Sequence, residues 1–142
     1  MKTIIATLVI TLSTFILSAQ TEIKTETNGT TVTVTVPVTS NKGTVYAALH
    51  NEDTFMKQGL IDAEGIVKDS KATITFENVA PGTYAVLLFL DMNGNKKMDF
   101  EPSGMPAEMY GVSNNIMSYG PPMWSDAKFE VTDAPVKMEI RL

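Results

Sequence analysis

The sequence predicts an all-β protein, an antiparallel β-sandwich of about seven strands with a long ordered covering loop. Three observations carry this. Apolar and polar residues alternate with a period of two in several short stretches, most cleanly in TTVTVTVPV at 30–38. A further stretch, TYAVLLFL at 83–90, is apolar on both faces, as a strand covered on both sides must be. Gly, Pro and Asn turn signals separate these stretches, and helical periodicity is slight.

Taken in order, 21–27 alternates weakly and reads as an edge strand, ended by the turn pair Asn28-Gly29. In 30–38 the valines Val32, Val34, Val36 and Val38 face one way, and Thr31, Thr33 and Thr35 form a wet face. Pro37 cannot donate to a ladder and marks an edge or bulge. A second strand is expected at 44–49, with Val45, Ala47 and Leu49 inward. The stretch 50–63 is irregular with modest helical tendency, and 65–67 is extended. In 71–79, Ile74 and Phe76 alternate with Thr73, Thr75 and Glu77. The turn NVAPG at 78–82 feeds the doubly apolar strand. The stretch 100–126 is rich in Gly, Pro, Ser and Asn, yet carries Met105, Met109, Tyr110, Ile116, Met117, Tyr119, Met123 and Trp124. A disordered linker lacks such residues, so this segment should fold back over one face of the central strand. Alternating stretches at 127–131 and 136–142 close the chain.

Residues 1–19 read as a secretory signal: Lys2, an apolar run over 4–17, and a small residue, Ala19, before Gln20. Cleavage there leaves a single domain at 20–142, a chain of 123 residues, which suits one hydrophobic core. The product is expected to be periplasmic or secreted, with no membrane insertion after cleavage, since no later stretch is long and apolar enough to span a bilayer. The mature part holds ten basic and sixteen acidic residues, an acidic balance that disfavours nucleic acid as a partner. The absence of cysteine excludes disulfides and thiolate chemistry.

The segment DMNGNKKMD, 91–99, follows the doubly apolar strand. Asp91, Asn93, Asn95 and Asp99 occupy positions 1, 3, 5 and 9, and the Lys97 carbonyl falls at position 7. This is the spacing with which a calcium loop turns oxygens towards a hard cation. Positions 6 and 12, Gly and Glu in a full EF-hand loop, are here Lys96 and Pro102, so Glu101 or Glu108 would supply the missing carboxylate. Calcium is the expected cofactor, held by Asp91, Asn93, Asn95, Lys97, Asp99 and Glu101. The same residues also read as a plain Asn-Gly hairpin turn at Asn93-Gly94.

Across 81–115, and extending back to 43–51 and over most of the mature chain, the sequence resembles an exported bacterial family, domain of unknown function 2141. The resemblance rests on Pro81-Gly82-Thr83-Tyr84-Ala85, the Asp91, Asn93, Asn95 and Asp99 loop, the run GMPAEMYGVSNN at 104–115 and PPMWSDAKF at 121–129. It implies an immunoglobulin-like or transthyretin-like sandwich and supplies no activity, none being established for the family.

Catalysis finds little support. His50 is the sole histidine, expected at a strand edge or surface, and no nucleophile elbow is present. Asp91, Asp99 and Glu101 as a glycosidase pair would have to straddle a sugar from one tight loop. Six of the nine methionines lie between Met92 and Met123. Thioethers bind Cu(I), so a soft-metal carrier using Met105, Met109, Met117 or Met123 with His50, or a small hydrolase on the 104–124 surface, is the alternative. The main expectation is a non-enzymatic, calcium-binding module whose 104–124 face meets a protein or glycan, a reading that an exposed aromatic patch at Tyr110, Tyr119 and Trp124 would favour. Glu108, Tyr110, Ser113, Asn114 and Asn115 are either part of that surface or satisfiers of loop backbone groups.

Overall fold

A computed structural model describes residues 29–117 and 120–142. The expected signal segment 1–19, the strand at 21–27 and Tyr119 lie outside the described residues. Eight strands form two packed sheets: β1 (Thr30–Pro37), β2 (Thr44–His50), β3 (Ile61–Ile66), β4 (Lys71–Val79), β5 (Gly82–Asp91), β6 (Tyr110–Val112), β7 (Phe129–Val131) and β8 (Val136–Glu139). The order is β4-β1-β8 in one sheet and β3-β2-β5-β6 in the other, with β7 paired to β5. The pairings are antiparallel except one. β8 runs parallel to β1, from Val32 opposite Val136 to Thr35 opposite Glu139. The single α-helix of the described residues is one short turn, α1 (Trp124–Ala127), and a 3₁₀ turn spans Ser113–Asn115.

The core lies between the sheets, and the period-two stretches supply it. Val32, Val34 and Val36 of β1, Ile74 and Phe76 of β4, Val45 and Leu49 of β2 and Val86 of β5 are buried there, joined by Ile140. Two glycines allow the sheets to meet at their corners. A Cβ on Gly65 would stand 2.7 Å from the Thr73 carbonyl oxygen, and one on Gly111 would stand 2.5 Å from that of Arg141. At both places backbone approaches backbone where no side chain fits. Two strands escaped sequence reading: the short β6, inside the covering segment, and β3, whose IDAEGI places only Ile61 and the small Ala63 against the core, between the exposed acids Asp62 and Glu64. The ladder of β3 with β2, Leu49 opposite Ile61 through Thr44 opposite Ile66, is what makes it a strand.

The doubly apolar β5 is covered unevenly. Val86, Leu88 and Leu90 enter the main core. On the other face, Ala85 joins Val112 and Ala127 in a second cluster with Phe55, Leu87, Ile116 and Trp124 packed on it. The segment after the loop therefore folds back as expected, but only over the first half of the strand.

Ser113, Asn114 and Asn115 fasten this cover. The Ser113 hydroxyl, fully buried, donates to the Ala127 carbonyl and accepts the Val86 N–H. Asn114 donates to the carbonyls of Asp126 and Lys128. Asn115 donates to the Glu139 carbonyl at 2.9 Å and accepts the Arg141 N–H at 2.7 Å. Both asparagines stand in the left-handed region, φ 68° and 52°, where Asn is among the better tolerated residues. These are backbone clips. Asn115→Ala is expected to lower unfolding free energy by about 2 kcal/mol, through two lost hydrogen bonds and left-handed strain. A urea denaturation midpoint compared with the unmodified chain checks this.

Candidate metal centre

β5 ends at Asp91, whose carboxylate is buried beneath the loop that follows. Its Oδ1 accepts the N–H groups of Asn93 at 3.1 Å and Gly94 at 2.6 Å, and its Oδ2 accepts that of Lys96 at 2.8 Å. Burial alone would push this carboxyl up. The donated N–H groups of Lys96, Gly94, Asn93 and Asn95 outweigh it, and the group is held below its ordinary 3.8. The turn is repeated downstream. Asn93 Oδ1 accepts the Asn95 N–H at 3.0 Å, and Asn95 Oδ1 accepts the Lys97 N–H at 2.9 Å. Three oxygen-bearing side chains at alternate positions thus wrap the backbone around themselves.

This is not a two-residue hairpin. The strand after the loop that pairs with β5 begins only at Tyr110, and the left-handed residues of the loop are Gly94 and Lys96, not Asn93. Lys96 holds φ 62° at the position where a full calcium loop has glycine. Its side chain lies along a neighbouring groove. Among the described residues the one ion pair is Arg141–Glu139, so neither Lys96 nor Lys97 is paired with a loop carboxylate.

The Asp99 carboxylate is drawn to the same side chains. Asn93 Nδ2 donates to it at 2.6 Å, and Asn95 Nδ2 at 2.8 and 2.9 Å. The Lys97 carbonyl accepts no hydrogen bond among the described residues. The two candidate closing carboxylates part company. Glu101 is exposed in a small turn, where it accepts the Ser103 hydroxyl at 3.5 Å. Glu108 lies against the loop: its Oε2 accepts the Asp99 N–H at 3.4 Å, while its Oε1 is buried and without a hydrogen-bond partner. A buried carboxylate oxygen without a donor is costly, and a cation held by the adjacent loop would satisfy it. Among the described residues, no three His, Cys, Asp or Glu side chains group closely enough to hold a metal by themselves. The oxygen set here is mixed, carboxylate, carboxamide and carbonyl, which is calcium's ordinary company.

Beside the loop, the uncovered half of β5 opens onto a groove of about 1380 Å³. Its floor is a cross-strand row, Glu64, Tyr46, Phe89 and Tyr110, set by the β3-β2-β5-β6 register. Tyr46 and Phe89 stack at 5.7 Å. Burial raises the Tyr46 phenol, and the carboxylates of Glu64 and Asp91 raise it further. Met98, Phe100 and Met105 from the loop side form one wall. Sequence reading missed Tyr46 and Phe89 as surface groups, because their outward role follows from the half-finished cover and not from their own strands. Of the two described members of the expected aromatic patch, Tyr110 stands exposed. Trp124 packs edge-on against Phe55 at 5.6 Å and belongs to the cover.

His50 is not at the surface. It is buried, with Nδ1 at 2.9 Å from the Thr54 carbonyl oxygen and its ring edge-on to Phe55. The turn over Asn51–Thr54 folds back on it and supplies that carbonyl. Met105, Met109, Met117 and Met123 are all exposed, on separate parts of the covering segment.

Fold and loop together define a small β-sandwich with an oxygen-lined loop where its central strand leaves the sheet. Over residues 32–139 the chain matches the model of a family described as uncharacterised proteins conserved in bacteria, DUF2141, and it belongs to that family. Comparison with curated proteins and with solved structures found no match.

Because the folded-state pKa of Asp91 is depressed, its stabilisation is present above 3.8 and lost as pH falls below that value. Stability measured by urea midpoint between roughly pH 6 and pH 2 should show this acid limb. Asp91→Asn should be less stable at neutral pH and show a shallower limb.

Proposed function

We propose that this protein is an exported β-sandwich module whose 91–99 loop binds calcium, and that it acts in binding or structure and not as an enzyme. The observation that carries the reading is the pairing of an oxygen-lined loop with the buried, unpartnered Oε1 of Glu108 beside it. Asp91, Asn93, Asn95, Asp99 and the Lys97 carbonyl would hold the ion, with Glu108 in place of Glu101 as the closing carboxylate. Calcium would supply fixed positive charge between the exit of β5 and the segment that returns to β6. A chain without disulfides gains rigidity by such a tie.

The non-catalytic part of the reading has its own support. The sole histidine is buried and turned to a backbone carbonyl. The groove over Tyr46, Phe89 and Tyr110 is where a protein or glycan partner would be met. Export rests on the residues at 1–19.

Melting of the purified mature chain, first stripped with a chelator, tests the calcium reading. Dissociation constants of extracellular calcium modules run to about 10⁻⁴–10⁻³ M. At about 10 mM calcium such a site stabilises by about 1.4–2.7 kcal/mol, which is about 5–10 °C in a domain of this size. Glu108→Gln should shrink that shift and Glu101→Gln should leave it. No shift in the unmodified chain overturns the reading. Export is checked separately: the protein recovered from the cell envelope or medium should begin at Gln20.

A further inference from the structure

The Asp99 carboxylate has two amide donors on one side. Asn93 Nδ2 reaches Oδ2 at 2.6 Å, and Asn95 Nδ2 reaches Oδ2 at 2.8 Å and Oδ1 at 2.9 Å. The orientation of both carboxamides is fixed from their other end. Asn93 Oδ1 accepts the Asn95 N–H, and Asn95 Oδ1 accepts the Lys97 N–H. Exchanging oxygen for nitrogen in either side chain would set NH₂ against a backbone N–H and oxygen against a carboxylate, so both contacts would turn repulsive at once.

We propose that Asn93 and Asn95 form an amide latch on Asp99, and that calcium and the latch compete for that carboxylate. The proposal rests on the reading of the loop as a calcium site. A cation held by Asp99 and the two carboxamides needs their Oδ1 atoms turned towards it. In the latched arrangement the Nδ2 hydrogens, which carry positive partial charge, face Asp99 instead. NH₂ groups and a divalent cation repel, and one face of a carboxylate cannot serve both. Calcium entry therefore rotates both carboxamides or moves Asp99 away from them.

Two consequences follow from this exclusion. The loop is ordered in either arrangement, so calcium exchanges one set of contacts for another and does not fold a slack segment. The exchange also reaches beyond the loop. Asp99 is tied through its N–H to Glu108 Oε2 and through its carbonyl to the Ala107 N–H at 2.8 Å. The segment 107–109 leads directly into β6, and Met109 accepts the Leu90 N–H at 2.9 Å. Displacement of Asp99 is thus felt at Tyr110, on the floor of the groove. An Asp at either asparagine position would remove that side chain's half of the latch.

Side-chain amide resonances in a ¹⁵N-labelled mature chain test this, recorded in chelator and then in 10-mM-scale calcium chloride. In chelator the NH₂ pairs of Asn93 and Asn95 should be shifted and protected from solvent exchange. Asp99→Ala should return both to free-amide positions with the rest of the spectrum kept. Calcium should release both pairs and shift the Glu108 and Tyr110 backbone signals. Free-amide positions in chelator overturn the latch, even where calcium still moves the loop signals and the calcium reading stands. Latched pairs that calcium leaves unmoved, while melting temperature rises, overturn the competition alone. No response to calcium in either spectrum or melting overturns both readings together.

Discussion

A strand that is apolar on both faces must be hidden from water twice, and the architecture follows from that demand on β5. The facing sheet hides one side: β1 and β4 bring Val32, Val34, Val36, Ile74 and Phe76 over Val86, Leu88 and Leu90. Among the described residues no second sheet covers the other side. The chain meets the demand with its own irregular segment, which returns as β6, a turn at Ser113–Asn115 and the short helix α1. Irregular backbone brought over a sheet carries polar groups that need partners. Ser113, Asn114 and Asn115 supply them at the points where the cover crosses β5, α1 and the end of β8. At the far end of β5, Asp91 does the same for the turn that leaves the sheet. Side-chain-to-backbone hydrogen bonds thus perform the task that disulfides perform in many small exported domains.

The cover stops halfway, and the groove is what remains. Ala85 and Leu87 are overlain by Trp124, Phe55 and Ile116. Phe89, two residues further, lies in the open row between Tyr46, on which it stacks, and Tyr110 across the β5–β6 ladder. The wall nearest this gap comes from Met98, Phe100 and Met105, at the end of the 91–99 loop and just after it. Loop and groove therefore share a boundary, and a change in one alters the shape of the other.

Most of the fold was legible because alternation in β1, β4 and β8 is a direct record of which side chains face the core. β3 was not, since its inward set is only Ile61, the small Ala63 and Gly65, too short and weakly apolar a record to stand out beside Asp62 and Glu64. The single parallel pairing was invisible for a different reason: strand direction is a property of how the chain returns, and side-chain period is the same either way. In the loop, the spacing of Asp91, Asn93, Asn95 and Asp99 showed which residues would gather. It did not distinguish Glu101 from Glu108, because that choice depends on a tight turn at 101–104 which carries Glu101 away and a return path which brings Glu108 back. His50 was misplaced at the surface because a lone histidine at a strand end reads as polar. Its partner, the Thr54 carbonyl, lies in a turn without periodic signature.

The parallel contact between β1 and β8 joins the first and last strands described. β1 is the middle of its three-stranded sheet, so one of its edges has no neighbour until residues 136–139 arrive. A chain made from its N-terminus cannot complete that sheet piecemeal. The valine-rich strand must wait with a bare flank while about a hundred residues are added, and contacts of such sequence separation form slowly. Self-association through that flank is the hazard. A chain that stays unfolded until its last strand is free of the machinery handling it escapes the hazard, because closing strand and waiting strand then meet at the same time.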